Sequence, residues 1–168
     1  PEAFVFCTFN NNYKTTPEMF DAWMNILRRV PGSVLWMLAD NPWARANLER
    51  EAIARDIDPQ RLVFAPRAHT DVYLSRYAVA DLFLDSYPFN GGTTANDALW
   101  MGLPVLTRCG KTFASRMAGA LLTAAGLPEL ICENLQRYED MGVALALEPG
   151  ATARLRKQLE AVRADGVL

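Results

Sequence analysis

One histidine, His69, stands among the 168 residues. A Ser-His-Asp triad would have to use it, and no Gly-x-Ser-x-Gly elbow supplies the serine. The three cysteines, Cys7, Cys109 and Cys132, are odd in number and far apart, with no Cys-x-x-Cys pair. That spacing argues against a zinc site or a disulfide framework and fits reduced cysteines in a cytoplasmic protein. No Gly-x-Gly-x-x-Gly occurs, so the usual dinucleotide fingerprint is missing. Gly110-Lys111-Thr112 has the ending of a P-loop, but Val105 stands where that pattern needs glycine. Neither sign of charge dominates: 17 basic against 19 acidic residues leave a net charge of −2. There is no electrostatic case for nucleic acid or an anionic membrane as partner. No apolar run approaches the ~20 residues of a membrane span, and no signal peptide is visible.

What is present is the composition of a globular domain, 51% apolar and 21% charged. A chain of this length buries a real core as one domain over residues 1–168. It starts Pro1-Glu2 and enters an apolar run at once, which reads as a piece of a longer protein. Ala3 to Phe9 reads as a central strand running into the polar loop Asn10-Asn11-Asn12. Thr16-Pro17 opens a helix that carries Phe20, Trp23, Leu27 and Val30 on its inner face. Ser33–Leu38, Arg61–Ala65, Ala80–Asp85, Pro104–Thr107 and Leu130–Cys132 read as further strands. Asp40-Asn41-Pro42 reads as a turn and cap before a polar helix. A short helix is expected over Asp71–Val79, and another beginning at Gly110-Lys111-Thr112, with Phe113, Met117, Leu121 and Ala124 on one side. Two helices close the chain near 134–147 and 151–164. Near-continuous apolar strands alternating with helices predict a doubly wound, Rossmann-like α/β domain. Its parallel sheet has about six strands, in the order 3-2-1-4-5-6. In such a sheet a ligand sits between the first and fourth strands, at their carboxyl ends.

The loop leaving that fourth strand starts the run Asn90-Gly91-Gly92-Thr93-Thr94-Ala95-Asn96-Asp97. Two glycines permit a sharp turn, and Thr93 or Thr94 can cap the helix that follows. The open N–H groups and positive dipole end of a first helical turn suit a phosphate. Asp97 lies on the same helix face, placed to accept from the hydroxyls of a ribose. The competing reading is an ordinary helix cap with a solvated Asp97. Lys14, in the loop after the first strand, can reach a diphosphate across the crevice and neutralise a leaving group; its other reading is a surface lysine. Tyr73 and Tyr87 can each stack on a base or simply pack. His69 is read as a loop residue near the crevice. Ser115 and Arg116 either touch phosphate or cap and cover.

Several of these segments together resemble one family. They are Phe6-Cys7-Thr8-Phe9-Asn10-Asn11-Asn12-Tyr13-Lys14, Val30–Trp36, the long run Asp81–Thr107 and Ala114-Ser115-Arg116. In this order they resemble the carboxyl-terminal catalytic lobe of the O-linked N-acetylglucosamine transferases, including bacterial homologues and the plant SPINDLY-type proteins. The resemblance implies a two-lobed GT-B glycosyltransferase fold, of which this lobe holds most of a UDP-sugar donor. By position it implies Lys14 as the diphosphate lysine and Asn11 as a polar donor contact. Thr93 and Thr94 would be the phosphate-binding helix start, Asp97 the ribose carboxylate, and Ala68 and Thr70 part of the loop beside the base. It further implies inverting transfer of N-acetylglucosamine from UDP-GlcNAc to protein Ser or Thr hydroxyls, with no metal and no separate cofactor. The nucleotide sugar, a protein acceptor and the protein's own amino-terminal lobe would be the partners, the parent carrying helical (TPR) repeats for the acceptor. This chain by itself is expected to be inactive.

The chain departs from the family pattern at three positions. Gly92 replaces a usual histidine, while Thr70 and Tyr73 replace a usual basic residue and a histidine. These departures leave a sister donor (GDP-fucose or UDP-glucose) and a non-catalytic nucleotide-sugar-binding module as the alternatives.

Overall fold

The computed structural model describes residues 3–39 and 41–166. Asp40, the first residue of the expected turn, and the terminal residues 1, 2, 167 and 168 lie outside them. Among the described residues six strands form one parallel sheet: β1 (Val5–Thr8), β2 (Val34–Leu38), β3 (Leu62–Ala65), β4 (Leu82–Leu84), β5 (Val105–Arg108) and β6 (Ile131–Cys132). Their order is β3-β2-β1-β4-β5-β6, as the alternation of strands and helices predicts. β1 pairs with β2 through Phe6↔Leu35 and Cys7↔Trp36, and with β4 through Phe6↔Leu82 and Cys7↔Phe83. The winding therefore reverses between β1 and β4, and the crevice opens at their carboxyl ends.

Strand residues alternate between two apolar layers. Phe6, Leu82, Leu84 and Leu106 face one cluster with Met19, Trp23, Ile26 and Leu27 of α1 (Pro17–Arg29) and Tyr138 of α6 (Leu135–Leu147). Cys7, Phe83 and Val105 face the other. There they meet α4 (Thr93–Trp100), α5 (Met117–Ala124) and α7 (Ala151–Ala164). Burial on both faces is what makes the central strands β1 and β4 read as near-continuous apolar runs. α1 and α6 approach so closely that a Cβ on Gly142 would lie 3.0 Å from Ile26 Cδ1.

Local signals hold where side chains set helix starts. Thr16 Oγ1 accepts from Met19 N at 3.2 Å with Pro17 in the first turn. Asn41 caps α2 (Pro42–Ile53) through Ala44 N, at 2.7 Å. The expected helix over 71–79 is divided into α3 (Thr70–Ser75) and a 3-10 turn, Arg76–Ala78. No helix among the described residues is long and apolar enough to cross a membrane.

One expectation is overturned. Helix α5 starts at Met117, not at Gly110. Residues 110–116 form a turn pinned by Ser115, whose hydroxyl accepts from Thr112 N at 3.1 Å and donates to Thr112 O at 3.0 Å. Gly110 is required there, because a Cβ would lie 2.5 Å from Ser115 Oγ and 2.9 Å from Tyr87 Cε2. Phe113 consequently leaves the expected helix face and stands 84% exposed.

Candidate functional site

Two loops face each other at the crevice. The first leaves β1, carries Asn10 and Asn11, and closes in a 3-10 turn, Asn12–Lys14. The second leaves β4 and reaches α4 through Asn90-Gly91-Gly92. Lys14 crosses from one to the other: its Nζ donates to Asn90 O at 3.0 Å and sits 4.2 Å from the centroid of the Phe89 ring. A backbone carbonyl and a ring face hold the ammonium without neutralising it, so its charge remains available to an anion in the crevice.

The start of α4 differs from the expected cap. Neither Thr93 nor Thr94 is the capping residue; both lie inside the helix, and Gly92 occupies the cap position without a side chain to fill it. The amide N–H groups of the first turn therefore meet no capping side chain, in contrast to α1, α2 and α6. The two threonines also diverge. Thr93 is exposed, while the half-buried Thr94 donates its hydroxyl to Asn10 Oδ1 at 2.5 Å. Gly91 serves close approach rather than an unusual φ: a Cβ there would lie 2.5 Å from Thr94 Oγ1 and 3.0 Å from Asn10 Oδ1.

Asp97 is half-buried one turn further along α4. Its charge bears on the nearby phenol of Tyr73, on α3. The Tyr73 hydroxyl meets Tyr77 OH, which donates to Thr94 O at 3.2 Å. Burial raises the Tyr73 phenol well above its ordinary range, with the neighbouring Asp97 charge adding to the shift. Tyr73 packs edge-on against Tyr77 and Phe9, with centroids 5.3 and 6.3 Å away. The Tyr73 and Tyr77 hydroxyls thus tie α3 to the first turn of α4 at Thr94 O. Tyr87 is covered differently: the Arg108 guanidinium lies 3.8 Å from its ring centroid.

The remaining candidates divide into rim and support. Ala68, His69 and Thr70 are exposed in the segment from β3 into α3, at the carboxyl edge of the sheet. Asn11 Oδ1 accepts from Arg67 at 2.8 Å and so joins this segment to the β1 loop. Ser115 is buried in its own turn, whereas Arg116 is exposed at the start of α5. An open groove of about 580 Å³ runs from Gly92 and Asn96 along Phe113, Met117 and Leu121. Among the described residues, no cluster of three or more His, Cys, Asp or Glu side chains is arranged to hold a metal.

The sequence reading passed over Asn10, Asp85 and Asn90, which support the two loops. Asn90 is buried; its side-chain amide donates to Ser86 O at 2.8 Å, and its backbone N–H to Ala114 O at 2.9 Å. Asp85 is buried as well and accepts from Gly91 N at 2.7 Å. An acidic residue directly following a three-residue apolar strand is the signal that marks Asp85.

Residues 1–168 match glycosyl transferase family 41. A UDP-N-acetylglucosamine–peptide N-acetylglucosaminyltransferase of Caenorhabditis elegans is 35% identical over 99% of the chain, which spans 14% of that protein. The SEC protein of Arabidopsis thaliana is 37% identical over 96% of the chain, spanning 17% of its length. Among solved structures, a mutant O-GlcNAc transferase of Thermobaculum terrenum superposes with a TM-score of 0.94 at 34% identity. That match covers all of this chain and 33% of the other. The chain thus spans less than a fifth of the two curated relatives and a third of the solved one.

Proposed function

Because the chain belongs to glycosyl transferase family 41, and has the Rossmann-like architecture of a GT-B lobe, we propose that it is the donor-binding lobe of a protein O-glycosyltransferase. Its donor is UDP-N-acetylglucosamine, its acceptor a protein Ser or Thr hydroxyl, and its chemistry inverting and independent of metal. One observation carries this reading: Lys14 bridges to Asn90 O, 3.0 Å away, beside a helix start that no side chain caps. The ammonium sits on the loop that leads straight into those open amide N–H groups. That junction is the place for the diphosphate of a nucleotide sugar.

In this arrangement the first-turn amides of α4 and the exposed Thr93 hydroxyl bind the phosphates. Asp97 accepts from the ribose. Asn11, Ala68 and Thr70 form the edge toward the base. In the transfer, the acceptor oxygen forms a bond to the anomeric carbon from the face opposite the diphosphate. The bond from that carbon to the β-phosphate oxygen breaks, and its electron pair leaves with UDP. The hydroxyl proton passes to a base. Lys14 and the α4 amides stabilise the charge that develops on the leaving oxygen, the task a metal ion performs elsewhere.

The contact of the Tyr73 hydroxyl with Tyr77 favours a second reading of the base edge. A tyrosine so held, beside Thr70, presents different groups to a base than a free imidazole beside a cation. A donor with another base or sugar, such as GDP-fucose or UDP-glucose, fits that edge. Calorimetric titration with UDP-N-acetylglucosamine, UDP-glucose and GDP-fucose tests both readings: tightest binding of UDP-N-acetylglucosamine supports the first, tightest binding of either other donor the second. If the full-length protein binds a nucleotide sugar but neither transfers nor hydrolyses it, a non-catalytic binding module is the answer.

A further inference from the structure

Directly below the glycine turn lies a carboxylate with no cationic partner. Asp85 is fully buried, at 0% exposure. Its Oδ1 accepts from Gly91 N at 2.7 Å and from Asn10 Nδ2 at 3.1 Å. Its Oδ2 accepts from Thr107 Oγ1 at 2.7 Å. The surrounding elements supply neutral groups: Asn10 from the β1 loop, Thr107 from β5, and Tyr138 from α6, whose hydroxyl donates to Asp85 O at 2.9 Å. The cations of the neighbouring loops are engaged elsewhere, Lys14 on Asn90 O and Arg108 on Tyr87 and Glu18. A buried, unpaired charge is costly to keep, and a neutral side chain would fill the same volume. Burial pushes this carboxyl up to about 6, against the opposing pull of its hydrogen bonds from Gly91, Thr107 and Asn10.

The hydrogen bonds show what that charge holds. A trans peptide is planar, and its N–H and C=O point in opposite directions. The Asn90–Gly91 peptide aims its N–H down at Asp85, so its carbonyl aims up into the crevice. That carbonyl is the one Lys14 grips. The same carboxylate oxygen fixes the amide of Asn10. With Asn10 Nδ2 donating to Asp85 and to Ser86 Oγ at 2.9 Å, its Oδ1 turns to Thr94. A carboxylate only accepts, so neither neighbour can reverse while Asp85 is ionised.

We infer that Asp85 is a positioning residue for the donor diphosphate. It orients Lys14 through the Asn90–Gly91 peptide and Thr94 through the Asn10 amide. This rests on the proposed donor site and names a residue on which that site depends.

The test is a double-mutant cycle on UDP affinity in this chain, with Asp85→Ala, Lys14→Ala and the pair. Asp85→Ala is expected to weaken UDP binding at least tenfold. In its background Lys14→Ala is expected to cost less than half, in log affinity, of what it costs alone, because the lysine is already misdirected. Asp85→Asn keeps an oxygen for Gly91 and Asn10 but its amide can turn, so its affinity is expected to fall between those of the wild type and Asp85→Ala. A cycle in which the two effects simply multiply, or an Ala variant with unchanged affinity, overturns the inference. If Asp85→Ala does not fold, Asp85→Glu takes its place in the cycle, keeping the charge but moving it by one methylene; wild-type affinity in that variant likewise overturns it. A wild type that binds no UDP sinks the donor-site reading itself, whereas UDP binding indifferent to position 85 sinks only this inference.

Discussion

Replacing Lys14 by alanine removes the only side-chain cation that bridges the two crevice loops among the described residues. An ammonium about 4 Å from a phosphate charge is worth roughly 4 kcal/mol at the effective dielectric of a protein surface. Lys14 is half-buried and water partly screens it, so roughly half of that, ~2 kcal/mol, is expected in the ground-state complex. The charge on the leaving oxygen grows as the glycosidic bond breaks, and the transition state should feel closer to the whole sum. Removing one such donor at a developing oxyanion typically costs about 10²–10³-fold in rate. The expected outcome is a drop of ~30-fold in UDP affinity of the chain, measured by calorimetry, and a larger fall in kcat of the full-length protein. Folding should suffer little, since the lost hydrogen bond contributes about 1 kcal/mol or less. A variant with unchanged melting temperature, UDP affinity within threefold of wild type and unaltered kcat would refute the placement of the diphosphate at Lys14.

Three further predictions follow from single contacts. Asp97→Ala should weaken UDP binding by ~1–3 kcal/mol through loss of a charged acceptor, and an affinity equal to wild type removes Asp97 from the site. Gly91→Ala should lower stability by ~1–3 kcal/mol in a denaturant melt, because its Cβ would meet Thr94 Oγ1 at 2.5 Å; a neutral change would mean the turn relaxes freely. Burial holds the Asp85 carboxyl at about 6, above its usual value near 4 in an unfolded chain. A raised folded-state value means the stabilising contribution is present below about pH 4 and lost as pH rises through about 6. Relative to the wild type, Asp85→Asn should therefore gain roughly 2–3 kcal/mol in stability between pH 4 and pH 7, read from melting curves across that range. A constant difference would show that burial does not shift this group.

Strand order, the crevice between β1 and β4, and the caps at Thr16 and Asn41 were legible in the sequence, because each is a local or periodic signal. An apolar run of four to six residues can be buried on both faces without knowing its neighbours. A Thr-Pro or Asn-Pro pair announces a helix start from its own chemistry. The run from Asn90 to Asp97 was legible as a glycine turn into a helix for the same reason. What only the tertiary structure decided lies in contacts between segments distant in the chain. Thr94 is turned inward by Asn10, the Tyr73 hydroxyl meets Tyr77, and Gly92 takes the cap position that either threonine fits equally well on paper. The Ser115 turn displaces the start of α5, because a hydroxyl closing on Thr112 outcompetes about two more helical turns. Asp85 belongs to this second class most fully. Its position after β4 marks it as odd, but its three donors come from residues 10, 91 and 107. Hydrogen bonding is directional and short-ranged, so which donors reach a buried acceptor is settled only when the sheet has brought those loops together.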